Sequence, residues 1–297
     1  MIMMRCVRWI KTIHVFALTL MTTLGIFYQE IRFTGTKTNV YGDEIELFGR
    51  GIYAYESFLK GTIYVGTDSI ILILVIPLIV YVNFIVKKKT TVHHLLTIAL
   101  GVFSTYYVAS LAFGAMMNVM FIVYIIGLAS SIGVVLLEVQ ALDIKQLNHH
   151  IKDMQISKGF YVFMIVFAAS TMIWMFEIID MMISGRPSDI IGFQATEISF
   201  VLDLAIILPL TLYGLYGLKY KKVYGVVIIF SMLVFACLLG FVVLGQTVAQ
   251  IAFGYELGVF EVIVYILPFM ILSGLSVAFI LKGYQQYKSR EKKVELV

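Results

Sequence analysis

An all-α, polytopic membrane fold is predicted by three observations: composition, the length of the apolar runs, and the spacing of the basic residues. Of 297 residues, 61% are hydrophobic and only 13% are charged, whereas soluble domains carry roughly 25% charged residues. Apolar runs of about 20 residues, enough to cross roughly 30 Å of hydrocarbon, recur along the chain. Clusters of Lys and Arg follow every second run, as expected of a chain that retains its basic flanks on the cytoplasmic side. No run shows the ten-residue alternation of an outer-membrane barrel, so helices are left to satisfy the backbone in lipid.

Eight runs are predicted to span the membrane: residues 9–27, 67–86, 93–115, 119–141, 159–182, 196–218, 223–250 and 259–282. Arg5, Arg8 and Lys11 precede the first, but Thr22, Thr23, Phe27 and Tyr28 offer no small-residue cleavage site. A retained helix is expected rather than a signal peptide. His14 within it reads as a packed, hydrogen-bonded residue. Residues 28–66 form the only sizeable extramembrane segment. Ile45, Phe48, Ile52, Tyr55 and Phe58 step by three or four there, which suggests a helix lying in the interface. Gly49 and Gly51 weaken that helix, and a loop packed as a lid over the bundle is the alternative.

Pro77 and Pro209 each remove a helical hydrogen bond in mid-span. Ile76, Pro77, Leu78 and Tyr81 are echoed at an offset of 132 residues by Leu208, Pro209, Leu210 and Tyr213, with Lys87 echoed by Lys219. A four-plus-four internal duplication would produce this, and so would chance similarity between two apolar, proline-bearing spans. The seventh run is long enough to tilt. Cys6 and Cys237 are too few and too far apart for a disulfide framework or a thiol metal site, and Cys237 reads as a helix-packing residue.

Seventeen of the 22 basic residues fall at the cytoplasmic ends, leaving Arg32, Lys37, Arg50, Lys60 and Arg186 outside. Both termini are therefore predicted to be cytoplasmic. Thirteen of the 18 acidic residues lie on or near the outer side: Glu30, Asp43, Glu44, Glu46, Glu56, Asp68, Glu177, Asp180, Asp189, Glu197, Asp203, Glu256 and Glu261. Most of these read as a solvated face. A carboxylate inside a helix is different, because it costs about 2.5–3.5 kcal/mol at the centre of a span and is usually paired or functional.

Asp203 is the leading candidate, about 10 Å inside the sixth helix if that helix starts near Thr196. Thr196, Ser199 and Ile207 share its face. Glu177 and Asp180 share a face of the fifth helix, Gln246 and Gln250 a face of the seventh, and Glu261 lies just inside the eighth. Their convergence would build an outward-facing carboxylate and amide pocket suited to a cation, a protonated amine or a proton. The alternative is that Asp203 bonds a Tyr, Ser or Gln of a neighbouring helix, while Glu177 and Asp180 meet headgroups or Arg186. The doublets His93–His94 and His149–His150 lie at the cytoplasmic boundary. Neighbouring residues diverge by about 100° on a helix, so one doublet does not easily chelate an ion, although both together could; the doublets read as interfacial residues, and no metal site is assigned.

Zinc-protease, phosphate-loop, nucleophile-elbow and C-x-x-C motifs are all missing, so the reading leans away from an enzyme, and the cofactor is left unknown. The basic residues serve topology, which argues against nucleic acid, although the Lys-rich C-terminal tail suits anionic lipid. Tyr106–Tyr124 (YYVASLAFGAMMNVMFIVY) and Leu202–Leu210 (LDLAIILPL) resemble an uncharacterised family of bacterial multi-pass membrane proteins, with Phe113, Gly114, Asn118, Phe121, Asp203, Leu204 and Pro209 as the matching positions. The resemblance implies a bacterial inner (cytoplasmic) membrane location and no activity. It draws attention to Asn118 in the short turn after the third helix, where turn formation explains an Asn equally well. The expected function is a transporter or receptor for a small, cationic solute, bound around Asp203, Glu177, Asp180, Gln246, Gln250, Glu261 and Asn118. A non-catalytic subunit or scaffold for a membrane protein partner is the alternative.

Overall fold

The computed structural model describes residues 2–87, 90–152, 154–256, 258–259 and 262–295, with the side chains of 2–5, 189, 265 and 287–295 outside that description. Among the described residues, eight helices long and apolar enough to cross a membrane run Cys6–Phe27, Phe58–Ile85, Thr91–Gly114, Phe121–Gln140, Lys158–Ser184, Ile198–Lys219, Val223–Ala252 and Val262–Gln286. The protein is a multi-pass, all-α membrane protein. Its seventh span occupies the centre and packs against the second, third, sixth and eighth, while the first packs on the second and fourth. Phe235 of the seventh span meets Phe103 and Tyr106 of the third and Phe167 of the fifth at ring distances of 5.4, 4.9 and 6.4 Å. The second and seventh spans touch backbone to backbone: a Cβ on Gly66 would lie 2.5 Å from the carbonyl oxygen of Gly245.

The second span begins at Phe58, nine residues earlier than the apolar run suggests. Ser57 caps it, its hydroxyl accepting from the Lys60 amide, and Lys60 in its first turn pairs with Glu197 of a neighbouring segment. The extramembrane segment therefore ends at residue 57. It contains no interfacial helix: strands β1 (Thr36–Thr38) and β2 (Glu44–Glu46) pair antiparallel, and a single 3-10 turn covers Gly51–Tyr53. Gly49 and Gly51 adopt φ of +71° and +56°, and a Cβ at either would strike the carbonyl of Phe33 or Tyr28. That left-handed backbone breaks the helix which the apolar spacing implied. Phe48, Ile52, Tyr53 and Ala54 instead point inward and are buried, so the segment is a lid on one end of the bundle.

Five-residue π-helical turns at Ile71–Val75 and Asp203–Ile207 precede Pro77 and Pro209 with the same spacing. A third, Val262–Ile266, precedes Pro268, which lies outside the 132-residue offset. Proline, which lacks an N–H and crowds the preceding turn, accounts for these three without a duplication; a fourth π-helical turn, Tyr81–Ile85, has no proline after it.

Candidate functional site

Contacts between connections sort the bundle into two ends. At the end bearing the lid, Glu56 joins three segments: its carboxylate accepts from the Met116 amide at 2.5 Å and from Gln194 Nε2 at 3.1 Å. Met116 lies in the turn between the third and fourth spans, and Gln194 in the connection between the fifth and sixth. Burial pushes the Glu56 carboxyl up to about 7, against the lowering effects of the Met116 amide, Lys60 and Gln194. One turn along, Lys60 forms a buried ion pair with Glu197, and Glu197 also caps the sixth span.

Below these lies Asp68, which the sequence placed among the flanking acids. Because the span starts at Phe58, Asp68 is about 15 Å along it and is fully buried. The Tyr53 hydroxyl of the lid donates to one carboxylate oxygen at 2.7 Å, and the Tyr107 hydroxyl of the third span donates to the other at 2.5 Å. The first span closes the site through Gly25, where a Cβ would sit 1.8 Å from Asp68 Oδ2. Tyr124 lies close to Tyr53, and the Asn118 amide donates to the Tyr124 hydroxyl at 3.3 Å. Asn118 thus joins the rim of the Asp68 network, and it also makes its own turn by accepting from the Met120 amide.

Asp203 is half-buried and about 8 Å inside its helix, which begins at Ile198. Its two oxygens accept from the Tyr106 hydroxyl at 2.8 Å and the Trp174 indole at 2.7 Å, so the neighbouring-helix alternative describes its contacts. Trp174 is set by a 3-10 turn at Thr171–Ile173 and stacks on Phe200 at 4.9 Å. The cavity beside Asp203 is about 10 Å³, room for one water at most. The polar stripe expected along Thr196 and Ser199 does not lead to Asp203, because Ser199 turns to Glu197 at 2.6 Å.

The other expected site residues do not gather around Asp203. Glu177 is half-exposed and Asp180 exposed, and neither has a hydrogen bond or ion pair among the described residues; Arg186 lies 3.7 Å from Asp43 instead. Gln246 donates to Thr67 at 2.9 Å, one residue from Asp68. Gln250, half-buried, makes no side-chain hydrogen bond among the described residues. Glu261 lies outside the described residues, as do Lys88 and Lys89 of the basic clusters.

The opposite, base-rich end holds a second cluster. Glu138 of the fourth span is buried between Lys11 of the first, at 2.5 Å, and His94 Nδ1 of the third, at 2.6 Å. Donor atoms of His93, His94 and Glu138 lie within 4.8 Å of one another, close enough for one metal ion, but the Lys11 ammonium already neutralises the carboxylate. Lys11, read from the sequence as a flanking charge, is thus an interior residue. His14 is packed as expected, yet neither ring nitrogen is hydrogen-bonded among the described residues. Cys237 serves packing, its carbonyl accepting from Ser273 at 2.6 Å.

Comparison of the chain with protein-family models, with curated proteins and with solved structures finds no match in any of the three.

Proposed function

We infer that the protein is a transporter or receptor for a proton or small cation, with its site centred on Asp68 and extending to Asp203 and Glu56. One observation carries this reading. At the lid end Glu56, Asp68 and Glu197 are buried and Asp203 is half-buried, and among the described residues Lys60, which pairs with Glu197, is the only buried cation there. Asp68 and Asp203 receive only neutral donors. A hydroxyl or indole hydrogen bond eases the burial of a carboxylate but leaves its charge uncancelled. A bound proton or cation supplies the cancellation, and its arrival or departure is a natural trigger for moving the lid, since Tyr53 ties the lid directly to Asp68.

The cavity of about 10 Å³ beside Asp203 suits a proton or small cation better than a larger solute. The positive-inside distribution favours the lid facing outward, and the resemblance read at Tyr106–Tyr124 and Leu202–Leu210 favours a bacterial inner membrane. The scaffold alternative has less support, because much of residues 40–60 packs into the chain's own bundle.

Reconstitution in liposomes tests the reading, with Na⁺, K⁺, methylammonium and a proton gradient each offered as the driving or transported ion. Flux of at least one, abolished by Asp68→Asn and weakened by Asp203→Asn, is expected. Unchanged flux in both variants, or none with any of the four, would refute it.

A further inference from the structure

A cavity of about 460 Å³ lies at the base-rich end, away from the carboxylates, between the third, fifth, seventh and eighth spans and the 147–157 connection. Its volume is in the range of about 300–1,000 Å³ typical of small-molecule sites. The walls are hydrocarbon: Leu95, Leu96, Phe230, Leu233, Phe279 and Ile280 are representative. Such a lining holds water poorly, but it matches the chemistry that the bilayer supplies at that depth.

Lys282 and His150 are among the lining residues, and among the described residues no acidic one lines the cavity. Lys152 and Lys158 each follow a lining residue, Ile151 and Ser157, directly in sequence, and Lys221 donates to the carbonyl of Lys152. An apolar slot under a lysine-bearing rim is the shape of an amphiphile with an anionic head. We propose that this cavity binds one acyl chain of an anionic phospholipid, with the headgroup phosphate held at Lys282. Recruitment of basic residues to topology alone requires no cavity beneath them. The pairing of charge with an apolar recess at the same end distinguishes a lipid site from ordinary flanking lysines.

The test uses the full chain in mild detergent, offered phosphatidylglycerol or phosphatidylcholine with identical acyl chains and read by native mass spectrometry. One phosphatidylglycerol per protein is expected, favoured about fivefold or more for each basic residue at the headgroup. Lys282→Gln is expected to cut phosphatidylglycerol binding about fivefold and leave phosphatidylcholine unchanged. Leu96→Trp, which fills the cavity, is expected to abolish the bound lipid. Leu96→Phe, a smaller intrusion, is expected to weaken it while the melting temperature stays near that of the parent. Equal retention of the two phospholipids overturns the proposal, as does lipid binding that survives Lys282→Gln and Leu96→Phe undiminished. Preferential capture of a free fatty acid, or of a second protein chain, in place of the phospholipid overturns it as well.

Discussion

Glu138 at the base-rich end has Lys11 2.5 Å from one oxygen and His94 2.6 Å from the other, whereas Asp68 at the lid end, equally buried, has two tyrosine hydroxyls. Both carboxylates are fully hydrogen-bonded, so geometry alone does not separate them. Charge does. The first is neutralised by the protein's own cation, and its cluster is closed in on itself. The second has only neutral donors, and it is connected through Tyr53 to a lid built from the longest extramembrane segment. On the proposed reading one buried carboxylate is structural and the other responds to a proton or cation.

The largest expected effect breaks the closed cluster. Lys11→Met leaves Glu138 without its cation and is expected to cost about 3–5 kcal/mol, read by unfolding in detergent, while Lys11→Met combined with Glu138→Leu recovers much of that loss. If the double variant is no more stable than the single, the pair is not the source of the effect.

Next in size is the pH response of the lid end. Glu56 titrates at about 7 in the fold against 4.5 for the ordinary group, so the folded protein binds this proton more tightly than the unfolded chain. The contribution to stability is greatest below about pH 4.5, falls as pH rises towards about 7 and is flat above. The fall is on the order of 3 kcal/mol, and Glu56→Gln is expected to remove it from the profile of melting temperature against pH.

Gly25→Ala comes third. Its methyl group must displace the Asp68 carboxylate or separate the first and second spans, at a cost of about 1–3 kcal/mol. A melting temperature equal to the parent's would show that the carboxylate is free to move. Tyr106→Phe removes one of two donors to Asp203 and is expected to cost about 1–2 kcal/mol. Glu177→Gln, at a half-exposed position, and Asp180→Asn, at an exposed one, neither with a hydrogen bond or ion pair among the described residues, should each stay within about 0.5 kcal/mol.

Much of this architecture is legible in the residues, because hydrocarbon thickness and the basic clusters leave little freedom in the number and direction of the spans. The start of the second span was hidden. Lys60, Gly61, Thr62 and Gly66 dilute its hydropathy; Lys60 pairs with Glu197, Gly61 packs on Phe48, Thr62 bonds back to the Leu59 carbonyl, and Gly66 meets the backbone of the seventh span. That hidden boundary also concealed Asp68, whose depth depends on where its helix begins. Asp203 stood out by depth, but its partners Tyr106 and Trp174 lie 97 and 29 residues away, and no local spacing reveals such contacts. Glu177 with Asp180 shows the converse: two acids on one helical face need not face a site. The apolar stripe at residues 45–58 was real, but a stripe at helical spacing also serves a folded lid once Gly49 and Gly51 take left-handed backbone.

The most direct measurement of the difference between the two ends is the melting temperature of the purified chain in NaCl, KCl, methylammonium chloride and N-methylglucamine chloride, from about pH 5 to about pH 9. The parent is expected to be stabilised by protons or by one of the small cations over the bulky N-methylglucamine. That dependence should persist in a Lys11→Met, Glu138→Leu background and disappear in an Asp68→Asn, Asp203→Asn, Glu56→Gln triple variant. A parent protein indifferent to every cation and to pH, or a triple variant with the parent's full dependence, would contradict a cation-responsive role for the lid end.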